Sequence, residues 1–117
     1  MQTAKEVRDL MLEDIDNWSI HLMNFVDDLR REKASLTLET PLDLRDERFD
    51  ALMASTVEYL CREQELEVPQ WVFQVPHCQK PWFVSGLESL KAIAIVESPV
   101  EFRLRKIFVL ENFLHRV

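Results

Sequence analysis

The chain has 117 residues, 47% of them hydrophobic and 30% charged, with a formal net charge of -7. That length supports one ordinary domain with its own core, and the acidic balance disfavours wholesale wrapping of nucleic acid. Two cysteines, Cys61 and Cys78, make no disulfide framework, and a single glycine, Gly86, leaves no room for glycine-rich phosphate loops.

Residues 3–33 read as one long amphipathic helix. Val7, Met11, Ile15, Trp18, Leu22, Phe25 and Leu29 recur at spacings of 3 and 4, with Val26 widening the stripe. Such a helix would be about 45 Å long, and Asp14–Asn17 is the place for any bend, because Asp and Asn are poor interior residues. Two readings fit the stripe. It packs into a core, or it forms the seam of a coiled-coil homodimer.

Residues 34–45 lack a helical period. Leu36, Leu38, Leu42 and Leu44 alternate with polar residues, but Pro41 argues against a central strand, so the segment reads as a connector along the core. Residues 46–66 form a second helix with Phe49, Leu52, Met53, Val57, Leu60 and Cys61 on its buried stripe. Asp46, Glu47 and Asp50 sit near its first turn, where the helix dipole favours anions. Residues 67–84 are punctuated by Pro69, Pro76 and Pro81 and carry Trp71, Phe73, Trp82 and Phe83. A connector of that composition packs across a domain, with a short helical turn beginning near Trp71.

Ser85 and Glu88 have the spacing of a capping box. The helix they open, about 86–97, carries Leu87, Leu90, Ala92, Ile93, Ala94, Ile95 and Val96. Being apolar on nearly every face, it is expected to be the central, buried helix. Ser98-Pro99-Val100-Glu101 repeats the start signal, with Ser98 as N-cap, and predicts a helix to about Lys106. Ile107–Val109 suits a short extended segment, and residues 110–117 a final helical turn or two. The expected fold is therefore all-α, a single domain over 1–117 with four to five helices around the 86–97 helix.

Charge is uneven along the chain. Residues 1–66 hold 8 Lys and Arg against 16 Asp and Glu, whereas residues 67–117 hold 6 against 5. The acidic half suits a basic protein partner or plain solubility. Arg103, Arg105, Lys106 and Arg116 form a basic cluster interleaved with Phe102, Phe108 and Phe113. It admits three readings: internal pairing with the acidic half, a protein contact, or a nucleic-acid platform. Trp82 and Phe83 read as a hydrophobic staple or an exposed hot spot.

Catalytic and metal signatures are weak. His77-Cys78 is an adjacent pair without further ligands at metal spacing. The acidic pairs Asp27-Asp28, Asp43 with Asp46, and Glu63 with Glu65 suit a solvated surface as well as any acid–base role. No catalytic, cofactor-binding or metal-binding residue is assigned. The N-terminus lacks the apolar run of a signal peptide, and no stretch has the length of a membrane span, so a cytoplasmic location is expected.

The runs DERFDALMASTVEYLC, VPQWVF and PWFVSGLESLKAIAIVESPVEFRLRKIFVLENFLHRV resemble a family of small uncharacterised bacterial proteins. That family has a similar W-F, S-P-x-x-F-R and I-F-V arrangement near its C-terminus. The resemblance spans about residues 46–117. In some members a helix-turn-helix module precedes the domain, and in some genomes a nucleotidyltransferase-like toxin neighbours it. The resemblance implies a regulatory or antitoxin-like role and carries over no catalytic residues. The acidic segment 3–33 lacks the paired short helices and basic recognition helix of a helix-turn-helix. The expected function is a non-enzymatic interaction module with Trp82, Phe83, Arg103, Arg105 and Lys106 as partner-binding candidates. The alternatives are a nucleic-acid regulator using the basic cluster, and a small enzyme built on loop 74–83.

Overall fold

The computed structural model describes residues 2–32 and 38–115. The readings of Lys33, Leu36, Arg116 and Val117 lie outside these residues. Among the described residues the chain folds into five α-helices, three short 3-10 turns and one two-stranded parallel pair. The helices are α1 (Ala4–Glu13), α2 (Trp18–Glu32), α3 (Glu47–Glu63), α4 (Lys91–Glu97) and α5 (Val100–Arg103). The strands are β1 (Trp82–Phe83) and β2 (Ile107–Phe108). The all-α expectation stands.

The 3–33 segment is two helices. A capping box starts α1: Thr3 Oγ1 accepts from Glu6 N–H, and Glu6 Oε1 accepts from Thr3 N–H, both at 3.1 Å. Asp14 ends it by leaving helical geometry (φ -127°, ψ 63°), and its carboxylate instead holds Asn17 Nδ2 at 3.1 Å and His21 Nε2 at 2.8 Å. The turn Ile15–Asn17 then leads into α2, and α1 and α2 pack against one another, which a straight helix could not do. Val7, Met11, Leu22, Phe25, Val26 and Leu29 are all buried inside the same chain. Apart from the exposed Ile15, the stripe is packed into the core, which is the first of the two readings of 3–33.

The central helix is α3, not the 86–97 segment. Twelve of its 17 residues are buried, and it packs against α1, α2, α5 and the turn Gln70–Gln74. Asp46 caps it, accepting from Phe49 N–H at 2.9 Å. Ala51 and Ala54 are fully buried and let neighbours approach closely. The polar residues on its buried faces are all satisfied: Ser55 Oγ and Thr56 Oγ1 each donate to the carbonyl four residues back at 2.8 Å. Glu65, in the left-handed region at φ 58°, closes the helix, with Leu66 N–H donating to Cys61 O at 2.7 Å.

The connector behaves as its leucines suggest. Leu38 and Leu42 are buried while Leu44 faces solvent, and Trp71 Nε1 donates to Leu38 O at 2.6 Å. Pro69 precedes the 3-10 turn Gln70–Gln74. β1 and β2 run parallel with Trp82 opposite Ile107 and Phe83 opposite Phe108. Gly86 follows at φ 72°, where its N–H returns to Phe83 O at 3.0 Å.

That turn displaces the expected capping box. Ser85 Oγ accepts only from Leu87 N–H at 3.4 Å, the turn Glu88–Leu90 is 3-10, and α4 starts at Lys91. Ser98 is likewise no N-cap. Its Oγ donates to Ala94 O at 2.5 Å and accepts from Val109 N–H at 2.8 Å, tying the end of α4 to the chain after β2. Residues 111–114 form turns rather than a helix.

Candidate interaction surface

Helix α4 is exposed on most of its surface, apolar side included. At about 100° per residue, Ala92, Ile93, Ile95 and Val96 share one broad face, and Lys91, Ala94 and Glu97 share the other. Ala94 is the buried one, whereas Ile93, Ile95 and Val96 are 46%, 49% and 79% exposed. The charged residues are tied to the fold. Lys91 Nζ bonds Glu88 Oε1 at 2.9 Å and lies 5.2 Å from the Phe83 ring centre, and Glu97 Oε1 accepts from Glu111 N–H at 3.1 Å. Leu87 precedes this face in the chain and Val100 follows it, both exposed. An isolated exposed leucine or isoleucine is ordinary, whereas neighbouring ones on one helix face form an apolar patch.

The reason α4 lies outside is geometric. It has 7 residues against 17 in α3, and its chief neighbours are the Glu88–Leu90 turn and β2. Only one side of so short an element can be covered from there. Its position is nevertheless firm, because the Ser98 hydroxyl links its last turn to Val109.

The five candidate residues separate into three environments. Trp82 is half-buried in an aromatic cluster, with ring centres 6.1 Å from both Trp18 and Phe49, and Arg48 Cζ lies 5.4 Å from its ring. It works as a packing residue between α2, α3 and β1. Phe83 is half-buried and stacks on Phe108 at 5.0 Å, beside Lys91 and so next to α4. Arg103 is exposed. Lys106 is half-buried in the left-handed region at φ 60°, with Nζ 3.5 Å from Gln79 O.

Arg105 is the correction. It is buried, and Nη1 donates to Glu58 Oε1 and Glu101 O, both at 2.8 Å, while Nη2 donates to Val72 O at 3.1 Å. Its charge is used inside the fold against the acidic half, so it is withdrawn from a partner surface. The basic cluster also lacks free aromatics: Phe102 is buried, Phe108 is stacked on Phe83, and Phe113 meets Phe102 edge-on at 6.1 Å. Among the described residues of the cluster, Arg103 and the ammonium of Lys106 keep an open cation, with Arg116 outside the described residues.

The candidate catalytic groups do not converge. His77 is exposed while Cys78 is buried, and burial pushes the Cys78 thiol up. Cys61 is pushed up to about 11 by burial and by the nearby Glu58 charge. Asp28 pairs with Arg31 at 2.6 Å, Asp43 with Arg8, and Glu63 with Arg30 at 2.9 Å. Among the described residues no three His, Cys, Asp or Glu side chains come together as a metal site.

Sequence reasoning missed the buried ionic residues Arg8, Asp50 and Glu58. Their signal was a charge at a stripe position: Arg8 stands in the spacing Ala4–Val7–Arg8–Met11, and Glu58 follows Val57 four residues after Ala54. No protein-family model, curated protein or solved structure matches this chain.

Proposed function

We propose that this protein is a non-enzymatic interaction module that docks a partner protein through the solvent face of α4. The observation that carries the reading is the exposure of Ile93, Ile95 and Val96 on one side of that helix, with Ala94 alone facing the core. Keeping such side chains in water forgoes roughly 25 cal/mol for each Å² that a partner could cover. Phe83 and Lys91 border the face, and Arg103 supplies an exposed cation after α5. A regulatory, antitoxin-like role fits a small domain that acts by covering a partner.

The contact expected here is apolar at its centre and resists salt, unlike a contact made by the acidic N-terminal half. The test is affinity capture from the source cells with the native chain, with Val96→Glu, and with Asp27→Asn/Asp28→Asn. A stoichiometric partner retained at high salt, lost with Val96→Glu and kept by the acidic-face variant, is the expected result. Capture that survives Val96→Glu, or that fails only in the acidic-face variant, overturns the reading. Val96 is already solvent-exposed, so its replacement leaves folding intact.

A further inference from the structure

A second feature lies apart from α4, between the C-terminal half of α3 and residues 73–77. It is a cleft of about 450 Å³, lined by Glu58, Arg62, Phe73, His77, Leu104 and Arg105 among others. Its floor is charged and its lips are apolar. Phe73 and Leu104 are 56% and 67% exposed, whereas Glu58 and Arg105 are buried.

The charges are arranged asymmetrically. Glu58 Oε1 accepts from Arg105 Nη1 at 2.8 Å, and Glu58 Oε2 lies 2.6 Å from Arg62 Nη2. Both carboxylate oxygens are thus taken, so Glu58 has little to offer a cationic ligand. Among the lining residues two guanidiniums face one carboxylate, one positive charge in excess in a chain whose net charge is -7, with the buried Glu101 next to Arg105 but outside the lining. Arg105 spends its N–H groups on Glu58, Glu101 O and Val72 O. Among the described residues Arg62 is paired with Glu58, its side chain is 51% exposed, and the i,i+4 pairing holds it at the cleft. A guanidinium has five N–H donors, so most of those on Arg62 are open.

We infer that this cleft binds a carboxylate carried on an apolar group. The carboxylate pairs with Arg62, and the apolar group lies between Phe73 and Leu104. Arginine matches a carboxylate as a fork, and a few fixed polar groups within an otherwise apolar cleft are the ordinary composition of a ligand site. A monoanion balances the single excess charge. A dianion such as a phosphate monoester would leave the cleft negative within an already acidic protein. The same chemistry is presented by a small aryl or alkyl carboxylic acid and by the C-terminal carboxylate of a peptide ending in an apolar residue.

The test is a nitrogen-15 NMR titration of the full chain with four probes: 3-phenylpropionate, 3-phenylpropionamide, and a short peptide ending in Leu-Phe with a free or an amidated C-terminus. Saturable shifts are expected at Phe73, Val75, Leu104 and the Arg62 side chain, with each amide at least tenfold weaker than its acid. Arg62→Gln should abolish the preference for the acid, and the exposed replacement Leu104→Ser should weaken acid and amide together. A free-acid peptide that saturates well below 3-phenylpropionate identifies a chain terminus as the ligand, and the reverse order identifies a small acid. Equal shifts for acid and amide, no saturable shift up to about 10 mM acid, or unchanged binding by Arg62→Gln would each overturn the assignment.

Discussion

Arg8 offers the most direct test of how this fold is held. Its side chain is fully buried, with Nε 2.9 Å from Asp9 Oδ1, Nη1 2.6 Å from Asp50 Oδ1 and 2.5 Å from Asp43 O, and Nη2 2.5 Å from Asp43 Oδ1. One guanidinium thereby joins α1, the connector and the first turn of α3. Burial disfavours the cation, but hydrogen bonds to Asp50, Asp43 and Asp9 outweigh that effect and hold it charged. Arg8→Met keeps the length and removes the charge, which strands Asp50 in the core. Breaking one partner out of a buried pair costs about 3–5 kcal/mol. Asp50 still accepts from Arg45 N–H at 2.7 Å and Asp46 N–H at 3.0 Å. The lower end, about 3 kcal/mol, is therefore expected, a large fraction of a stability of about 5–15 kcal/mol. Urea unfolding at neutral pH, followed by the fluorescence of Trp18, Trp71 and Trp82, measures it. Asp50→Asn in the same chain should recover part of the loss, because the stranded charge is then gone. A loss below about 1 kcal/mol for Arg8→Met, or strict additivity in the double variant, would refute the argument.

Three further outcomes are expected. Ser98→Ala removes the acceptor of the buried Val109 N–H and should cost about 1–3 kcal/mol in the same assay, whereas an unchanged urea midpoint would contradict the tie between α4 and β2. Acid should destabilise the fold. His21 and Asn17 hold Asp14 below the usual carboxylate range, Arg8 does so for Asp43, and Arg30 for Glu63, while for Asp9 the pull of Arg8 and Arg45 overcomes burial. The unfolded chain takes up protons first, so stability present above about pH 4 is lost as pH falls through the lower native values. A urea midpoint that stays flat from about pH 5 to pH 2 would contradict this. Cys61 and Cys78 should resist a thiol-reactive disulfide at about pH 8 and both react once urea is added, because each is buried with its thiol pushed up. Rapid labelling of the native chain would mean that one of them is open to solvent.

Much of the local structure was legible in residue order. The apolar stripe of 3–33 identified its core residues except Ile15, which is exposed at the break, Asp14–Asn17 marked that break, Pro69 announced the turn at Trp71, and Ile107 and Phe108 are extended. The pairing of β1 with β2 was not legible, because two residues per strand carry no period. Of the candidate surface, Phe83 and Arg103 were recognisable by type, while Arg105 was misplaced, since its partner Glu58 lies 47 residues earlier.

The sharpest divergence is between α3 and α4. Hydropathy alone ranks the Lys91–Glu97 segment as the more buried and gives the Glu47–Glu63 segment an exposed polar side. The fold reverses this. Arg8 and Arg105 arrive from distant segments to neutralise Asp50 and Glu58, so α3 can go inside with its charges. Among the described residues the outer face of α4 stays uncovered, with Ile93, Ile95 and Val96 exposed. Sequence by itself determined the helical class and most of the stripes that pack, because these depend on neighbours a few residues apart. Only the tertiary structure decided which helix is central and which apolar face is left open, because burial depends on what long-range partners cover each side chain.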